Sequence, residues 1–261
     1  MIFETHAHYD DERFEEDRDA LITSMPERGV GTIINVGASI ESTKTTLALS
    51  EKYPFVYAAV GVHPSDISGL NEETFAWLRE QTKKEKVVAV GEIGLDYYWD
   101  KEPEVQKQQR YWFAEQMKLS REASLPVIIH SREAAADTME VMKSVHAEEI
   151  PGVIHCYSYS KEMAQEFIKM GYYIGVGGVV TFKNAKKLKE VVEIAPIERL
   201  LLETDCPYLA PVPNRGKRND STNIHYVAEE LARLKGMTPE EVIRITEENA
   251  RRFYRISEEN V

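Results

Sequence analysis

Cysteine is scarce in this chain, long apolar runs are missing, and basic residues are outnumbered by acidic ones. The 261 residues include only two cysteines, Cys156 and Cys206, too few for a disulfide framework. This scarcity favours a reducing compartment, so we predict a cytoplasmic protein. No apolar run approaches the ~20 residues that cross a bilayer. Glu4, His6 and His8 interrupt the N-terminus before the apolar core of a signal peptide could form, and we expect no membrane association.

The excess of acidic residues limits the partners that the chain can bind. With 44 acidic and 32 basic residues, the formal net charge is −12 at pH 7. This balance argues against the broad basic surface of a protein that wraps nucleic acid. An enzyme that holds a few phosphates locally, with metal ions supplying positive charge, remains compatible with it.

Short apolar runs alternate with longer amphipathic stretches along the chain. Most of these runs are apolar throughout, as in strands buried on both faces of a parallel sheet. The eight runs span residues 2–8, 32–37, 56–63, 87–95, 126–130, 152–157, 172–178 and 200–205. The repeat of about 28 residues leaves room for a strand, a loop, a helix and a return loop. The pattern predicts a (β/α)8 TIM barrel of the α/β class, with a doubly wound open sheet as the alternative.

Helices are predicted between the runs and after the last of them. Amphipathic patterns cover residues 73–84, 109–123, 222–236 and 238–254. The last of these begins with Thr238 as N-cap and Pro239 at the first helical position. No linker rich in glycine, serine or proline divides the sequence. We therefore predict a single domain over residues 1–261 with an extra C-terminal helix.

Imidazole and carboxylate side chains fall at the same end of five predicted strands. The carboxyl ends of the strands form the active site of a TIM barrel, so these side chains should converge. They are His6, His8, Glu92, His130, His155 and Asp205. Singly, each has an ordinary structural explanation, such as a polar strand end or a core histidine. Their coincidence at equivalent points of one repeat favours a metal site.

Six such residues exceed the three protein ligands of a typical catalytic zinc ion. We predict two divalent ions per chain, with zinc, manganese, magnesium, cobalt, nickel and iron all open. The predicted division gives His6, His8 and Asp205 to one ion, His130 and His155 to the other, and Glu92 to both. Two such ions can activate a water and neutralise a leaving oxygen, with Asp205 as the predicted base. Glu92 and Asp205 are thus the predicted catalytic residues.

Residues adjacent to the predicted ligands have less certain roles. Glu203 and Glu4 each lie two residues before a ligand, so we expect each to point the same way as that ligand, one layer deeper, and to support the site from there. His63 ends the third run, where substrate contact and structural capping are equally open. Cys156 and Cys206 are each offset by one residue from a ligand, which predicts packing rather than metal binding.

Aromatic and basic residues near the predicted site are candidates for substrate contact. Tyr98 follows the fourth run between two other aromatic residues and can stack on a base or simply pack. Arg215, Lys217 and Arg218 form the densest basic group of the chain, in a loop after the eighth run. An ordinary solvated loop is the alternative, but a position beside the metal ligands predicts phosphate capture.

Longer motifs give the chain a family resemblance over almost its full length. They are ETHAHYD, VGVHP, GEIGLDYYWD, PVIIHSR, LLETDCPYLAP, RGKRN and NARRFY. With them the chain resembles the TatD family of metal-dependent hydrolases, within the amidohydrolase superfamily. The resemblance implies a (β/α)8 barrel, a two-metal site at the six residues named above, and a deoxyribonuclease acting as a 3′–5′ exonuclease on single strands. Glu4, where the family usually has aspartate, and HCYSYS at residues 155–160 depart from the family pattern.

Three functions are compatible with these observations. The first is a phosphodiesterase whose partner is DNA, as single strands or 3′ ends, with no obligate protein partner. The second is a hydrolase of C–N, ester or lactone bonds, because the same ions can act on a carbonyl carbon. The third is a metal-buffering or interaction protein without catalysis.

Overall fold

Eight parallel strands form one sheet, in chain order, in the computed structural model, which describes residues 1–257. The strands are β1 (Ile2–Ala7), β2 (Val30–Val36), β3 (Val56–Val60), β4 (Val87–Asp96), β5 (Val127–Arg132), β6 (Gly152–Ile154), β7 (Tyr173–Val176) and β8 (Leu200–Leu202). Each strand pairs in parallel with the next. Their nearly continuous burial is the reason why the sequence shows apolar runs rather than alternation.

Backbone contacts between the chain after β8 and the end of β1 close the sheet into a barrel. Ala7 forms a parallel bridge with Cys206, and the His8 N–H donates to the Cys206 carbonyl at 2.9 Å. The Asp205 N–H donates to the His6 carbonyl at 3.0 Å. The closure confirms the predicted barrel over the open sheet. It also fixes three predicted metal ligands relative to one another.

Within residues 1–257, one α-helix follows each strand, and a ninth α-helix follows the eighth. The helices are α1 (Arg18–Ser24), α2 (Ile40–Lys52), α3 (Glu72–Gln81), α4 (Pro103–Ala123), α5 (Ala135–Ser144), α6 (Lys161–Lys169), α7 (Lys186–Ile194), α8 (Ile224–Lys235) and α9 (Pro239–Tyr254). Helix α4 begins six residues before the predicted start, with Pro103 at its first position. None of the helices in residues 1–257 combines the length and the hydropathy that crossing a membrane requires.

Helix α9 closes the amino-terminal end of the barrel. It begins as predicted, with the Thr238 side chain accepting a hydrogen bond from the Glu241 N–H. Its last turn packs Phe253 and Tyr254 against inward-facing residues of the strands. The Tyr254 hydroxyl donates to the Thr5 carbonyl at 2.9 Å. With one end filled by this helix, the carboxyl ends of the strands form the open mouth. The last four residues of the predicted domain lie outside the described part of the chain.

Candidate metal centre

Four ligand atoms surround one point at the mouth of the barrel. His6 Nε2 lies 3.0 Å from His8 Nε2 and 3.5 Å from Glu92 Oε2. His8 Nε2 lies 3.6 Å from the same glutamate oxygen and 3.4 Å from Asp205 Oδ1. Ligands ~2.1 Å from a tetrahedral ion are about 3.4 Å apart, so these separations suit one divalent cation.

The second oxygen of Glu92 faces a different pair of histidines. Glu92 Oε1 lies 2.8 Å from His130 Nδ1 and 3.7 Å from His155 Nε2. One carboxylate thus presents one oxygen to each group of imidazoles. This arrangement is typical of a carboxylate that bridges two ions. His155 lies between the two groups, because its Nε2 is also 3.8 Å from Asp205 Oδ1.

In His8 and His130, the ring nitrogen that faces away from the site makes a hydrogen bond. This bond orients the other ring nitrogen toward the site. His8 Nδ1 bonds to the Val36 carbonyl at 2.8 Å, and His130 Nε2 bonds to Asp96 Oδ2 at 3.1 Å. Since a carbonyl and a carboxylate are acceptors, these nitrogens carry the protons, which leaves lone pairs on His8 Nε2 and His130 Nδ1. Asp96 was missed in the sequence, although it lies four residues after Glu92 on the same strand.

Buried nitrogen atoms without hydrogen-bond partners provide a direct test of the fit to metal ions. Among the described residues, the Nδ1 atoms of His6, His130 and His155 are buried and make no hydrogen bond, but the nitrogens of His6 and His155 that face the ligand group are their Nε2 atoms. His130 Nδ1 is the most informative, because it lies only 2.8 Å from Glu92 Oε1. Two acceptor atoms held this close are expected where both direct lone pairs at a common cation. The residues therefore fit divalent metal ions.

Carboxylates around His8 and His155 stabilise the protonated, positively charged form of these two imidazoles. Burial lowers the pKa of His155, but Glu203 and Glu92 outweigh it and raise that pKa to about 10. Burial likewise opposes the charged form of His8, and Asp205 outweighs it to raise the pKa of His8 to about 9. Burial raises the pKa of Glu92, yet the surrounding histidines hold it well below its usual value. His8 and His155 therefore favour a cationic form, and bound metal ions would take the place of their protons, whereas burial and the nearby His155 lower the pKa of His6.

Glu203 contacts His155 on the side of the ring away from the cavity, although β8 ends at Leu202 and strand alternation does not extend to Glu203 and Asp205. Its Oε1 is 3.2 Å from His155 Nδ1 and accepts a hydrogen bond from the Cys156 N–H at 2.6 Å. Gly175 on β7 makes room for it, because a Cβ at that position would collide with the Glu203 carboxylate. The contact orients the His155 ring toward the site.

Replacing Glu203 with glutamine is expected to weaken metal binding by about 10–100-fold. The variant keeps an acceptor for the Cys156 N–H but loses the charge that stabilises the orientation of His155. Competition with a chromogenic chelator measures the affinity. Glu73→Gln, an exposed site on α3, is the matched control. Unchanged metal affinity in the Glu203 variant would assign the residue to packing alone.

Glu4 lies in a different position from the one predicted. A register shift between Glu4 and Ala7 breaks the alternation of β1. The Glu4 carboxylate accepts hydrogen bonds from the N–H groups of His6 and Thr204, both at 3.0 Å, and from the Thr204 hydroxyl at 2.5 Å. Burial outweighs these bonds and raises the pKa of Glu4 to about 8. Glu4 thus holds the seam between β1 and the chain after β8, and it contacts the backbone of His6 rather than its ring.

Cys156 lines the cavity, so the prediction that it turns away from the site is wrong. Strand β6 already ends at Ile154, and Cys156 has a φ of 45°, so strand alternation does not extend to it. Its sulfur lies within 4.8 Å of ligand atoms of His155 and Asp205. Burial raises the pKa of the thiol well above its usual value. Cys206, in contrast, is buried in an apolar cluster that includes Tyr9 and Phe14, so it packs as predicted.

His63 caps a short helix and also reaches the site. Its Nδ1 accepts a hydrogen bond from the Ser65 N–H at 3.1 Å, and its Nε2 lies 3.9 Å from Glu92 Oε1. Burial, followed by the nearby His130, lowers the pKa of His63 to about 3. The neutral ring then carries its proton on Nε2. His63 therefore offers the site a hydrogen-bond donor rather than a ligand lone pair.

The basic loop after β8 does not reach the cavity. Arg218 makes two hydrogen bonds to the Asp17 carboxylate, at 2.7 and 2.6 Å. The Arg215 guanidinium lies 4.1 Å from the centre of the Phe182 ring. Neither arginine, nor Lys217, belongs to the described residues that line the cavity. The loop is therefore not beside the predicted metal ligands.

Replacing Arg218 with glutamine is expected to leave hydrolysis unchanged and to lower the free energy of unfolding by less than about 1 kcal/mol. The reason is that the side chain forms a half-exposed ion pair with Asp17, outside the cavity. Turnover and urea denaturation measure the two effects. Asp17→Asn should give the same small change, and the double variant should add little to it. A large loss of turnover in the Arg218 variant would show that the basic loop takes part in hydrolysis after all.

A cavity of about 670 Å³ opens above the metal ligands. Trp99 and Arg132 belong to its wall, whereas Tyr98 is not among the described residues that line it and packs its ring against Arg132. The described carboxylates that line it are Asp10, Asp11, Asp66, Glu92, Asp96 and Asp205. Such a cavity can admit a polar molecule to the ligand set while α9 keeps the other end of the barrel closed.

Comparison with known proteins places these features in a family. The family model for TatD-related DNases matches residues 3–255. YabD of Bacillus subtilis strain 168, described as an uncharacterized metal-dependent hydrolase, is 46% identical over 258 residues, which cover 98% of this chain and 100% of that protein. YcfH of Escherichia coli K12 has the same description and is 35% identical, over 98% and 96% of the two chains. The crystal structure of YjjV, a TatD homologue from Escherichia coli K12, superposes with a TM-score of 0.91 at 32% identity, over 98% of both chains.

Proposed function

The chain belongs to the TatD family of metal-dependent hydrolases, and from this premise we propose that it is a deoxyribonuclease that removes nucleotides from the 3′ end of single-stranded DNA. The observation that carries the proposal is Glu92, whose two oxygens face two separate groups of histidines. A pair of ions held in this way is typical of enzymes that cleave phosphodiester bonds.

Two divalent ions per chain are part of the proposal. His6, His8, Asp205 and Glu92 would hold one ion, and Glu92, His130 and His155 would hold the other. Bound there, the ions would lower the pKa of a water and neutralise negative charge on the phosphate. The carboxylates behind the imidazoles hold His130 and His155 in the orientations that this requires.

Asp205 is the proposed base. It is the most exposed carboxylate of the ligand group, with 19% of its side chain accessible, and it lines the cavity. It can therefore take a proton from an attacking water as the phosphorus–oxygen bond forms. His63, neutral and with a proton on Nε2, can donate a hydrogen bond to a phosphoryl oxygen.

Hydrolysis of a neutral ester, lactone or amide is the second candidate, and the charge of the cavity favours it. Among the described residues, six carboxylates line the cavity and Arg132 is the only arginine or lysine. These carboxylates outnumber Arg132 and the three lining imidazoles of raised pKa (His8, His130 and His155), so without bound ions the wall would repel a polyanion. Two bound divalent ions would offset most of that negative charge and place positive charge at the ligand group, which is why we place the phosphodiester first.

A substrate panel at saturating Mn²⁺ distinguishes the two candidates. We expect release of nucleotides from single-stranded DNA and little turnover of chromogenic carboxylic esters, lactones and N-acyl amides. Excess chelator should abolish the nuclease activity, because metal-free side chains supply too little positive charge to the phosphate. Rapid turnover of the carbonyl substrates with intact DNA would overturn the proposal in favour of the second candidate.

A further inference from the structure

Arg132 is the only arginine or lysine among the described residues that line the cavity. It ends β5, two residues after the predicted ligand His130. The side chain is exposed to solvent at the mouth of the barrel. In a cavity otherwise rich in carboxylates, a single guanidinium at this position has to be explained by something other than general solubility.

The Arg132 guanidinium is held by aromatic rings and has no polar partner among the described residues. Its central carbon lies 3.9 Å from the centre of the Tyr98 ring and 5.7 Å from that of Trp99. It forms no hydrogen bond or ion pair with residues 1–257. Stacking on a ring uses the face of the guanidinium and leaves its five N–H donors available at the edge. Arg132 is therefore positioned to bind an anion with planar, two-point geometry.

Trp99 lies beside Arg132 and exposes an apolar ring to the cavity. The residue is 66% exposed and lines the cavity. It meets Tyr98 edge to face, with ring centres 4.8 Å apart. An exposed indole next to an unpaired guanidinium provides a stacking surface and a phosphate ligand in adjacent positions.

Asp96 connects this pair to the metal ligands. One oxygen of Asp96 accepts hydrogen bonds from the N–H groups of Tyr98 and Trp99, at 3.0 and 3.1 Å. The other oxygen bonds to His130 Nε2 at 3.1 Å. Asp96 thus links the backbone of Tyr98 and Trp99 to the predicted ligand His130. A group bound at Arg132 therefore has a defined position relative to the reacting phosphate.

We propose that Arg132 and Trp99 form a nucleotide subsite, in which Arg132 binds a backbone phosphate next to the scissile one and Trp99 stacks on the adjoining base. This inference rests on the proposed function and deepens it by assigning the substrate contacts. Because stacking requires a base that is free of its neighbours and every base has a stacking face, the subsite favours single strands with little sequence preference.

Binding of a hydrolysis-resistant phosphorothioate oligothymidylate to the purified holoenzyme tests the subsite, with fluorescence anisotropy as the readout. Arg132→Gln should weaken binding about tenfold or more and reduce the salt dependence, log K against log salt, by about 0.7. Trp99→Ala should weaken binding about fivefold or more without changing that slope, and should lose this effect on an abasic oligomer. Arg79→Gln removes a ring-stacked guanidinium from α3, outside the cavity, and should bind as the wild type does.

The outcomes separate this inference from the proposed function. A protein that degrades DNA, and whose Arg132 and Trp99 variants bind the oligomer as tightly as the wild type, would overturn the subsite and leave the nuclease standing. A protein that hydrolyses no DNA, and whose two variants nevertheless bind the oligomer less tightly, would support the subsite and contradict the nuclease. Arg132→Lys keeps the charge but loses the two-point fork, and it should recover only part of the affinity. Equal melting temperatures of the variants exclude misfolding as the cause.

Discussion

Replacing Glu92 with glutamine is expected to lower the rate of hydrolysis by about a thousandfold or more and to lower the metal content of the purified protein. Glutamine retains one carbonyl oxygen, but its amide nitrogen replaces the other oxygen as a hydrogen-bond donor without a ligand lone pair. Either the ion site at His6 and His8 or the ion site at His130 and His155 then loses its carboxylate oxygen from residue 92. Losing a charge that positions an ion costs several kcal/mol in the transition state, which corresponds to this factor.

Metal analysis by mass spectrometry and turnover of single-stranded DNA measure the two effects of the Glu92 substitution. Glu162→Gln, on the exposed face of α6, provides a matched loss of one negative charge and should change neither quantity. If the Glu92 variant kept the full metal content and the wild-type rate, Glu92 would not bridge two ions.

Replacing Asp205 with asparagine is expected to lower kcat by about 10²–10⁴-fold, and excess metal should not restore it. Asparagine retains an oxygen at the ligand position, 3.4 Å from His8 Nε2 in the native residue, but it cannot accept a proton from water. The effect should therefore fall on kcat once the metal concentration is saturating.

A titration of the Asp205 variant with Mn²⁺ separates the two roles of this residue. Recovery of the wild-type rate at high Mn²⁺ would reduce Asp205 to a metal ligand and contradict its role as base. Asp66→Asn is the control, because Asp66 is an exposed carboxylate that lines the same cavity and makes no ion pair with the described histidines. It should lower kcat little.

The barrel and the convergence of the six imidazole and carboxylate side chains could be predicted because both depend on a repeat. Eight buried strands impose eight apolar runs, and the carboxyl ends of parallel strands meet at one mouth whatever loops connect them. Side chains such as Glu92 and His130 therefore had to converge once the runs were counted. The same reasoning would have found Asp96, which shares a face with Glu92 on β4.

Two kinds of feature could not be predicted from the sequence: local irregularities of the backbone, and ion pairs between residues far apart in the chain. Alternation along a strand fails at a bulge, which changed the role of Glu4, and past a strand end, which brought Cys156 into the cavity. Arg218 pairs with Asp17, a residue 201 positions away, so nothing near it in the sequence showed that its charge was already neutralised. Arg132 was overlooked for the converse reason, because only the folded chain shows that it has no ionic partner within residues 1–257.

The most direct test of the central claim is turnover of single-stranded DNA labelled at either the 5′ or the 3′ end, by chelator-treated protein titrated with Mg²⁺, Mn²⁺ or Zn²⁺. We expect no cleavage without metal. With metal, we expect stepwise shortening of the 5′-labelled strand and early release of a labelled mononucleotide from the 3′-labelled strand. DNA that stays intact at every concentration of all three metals, while the protein binds them, would contradict the account.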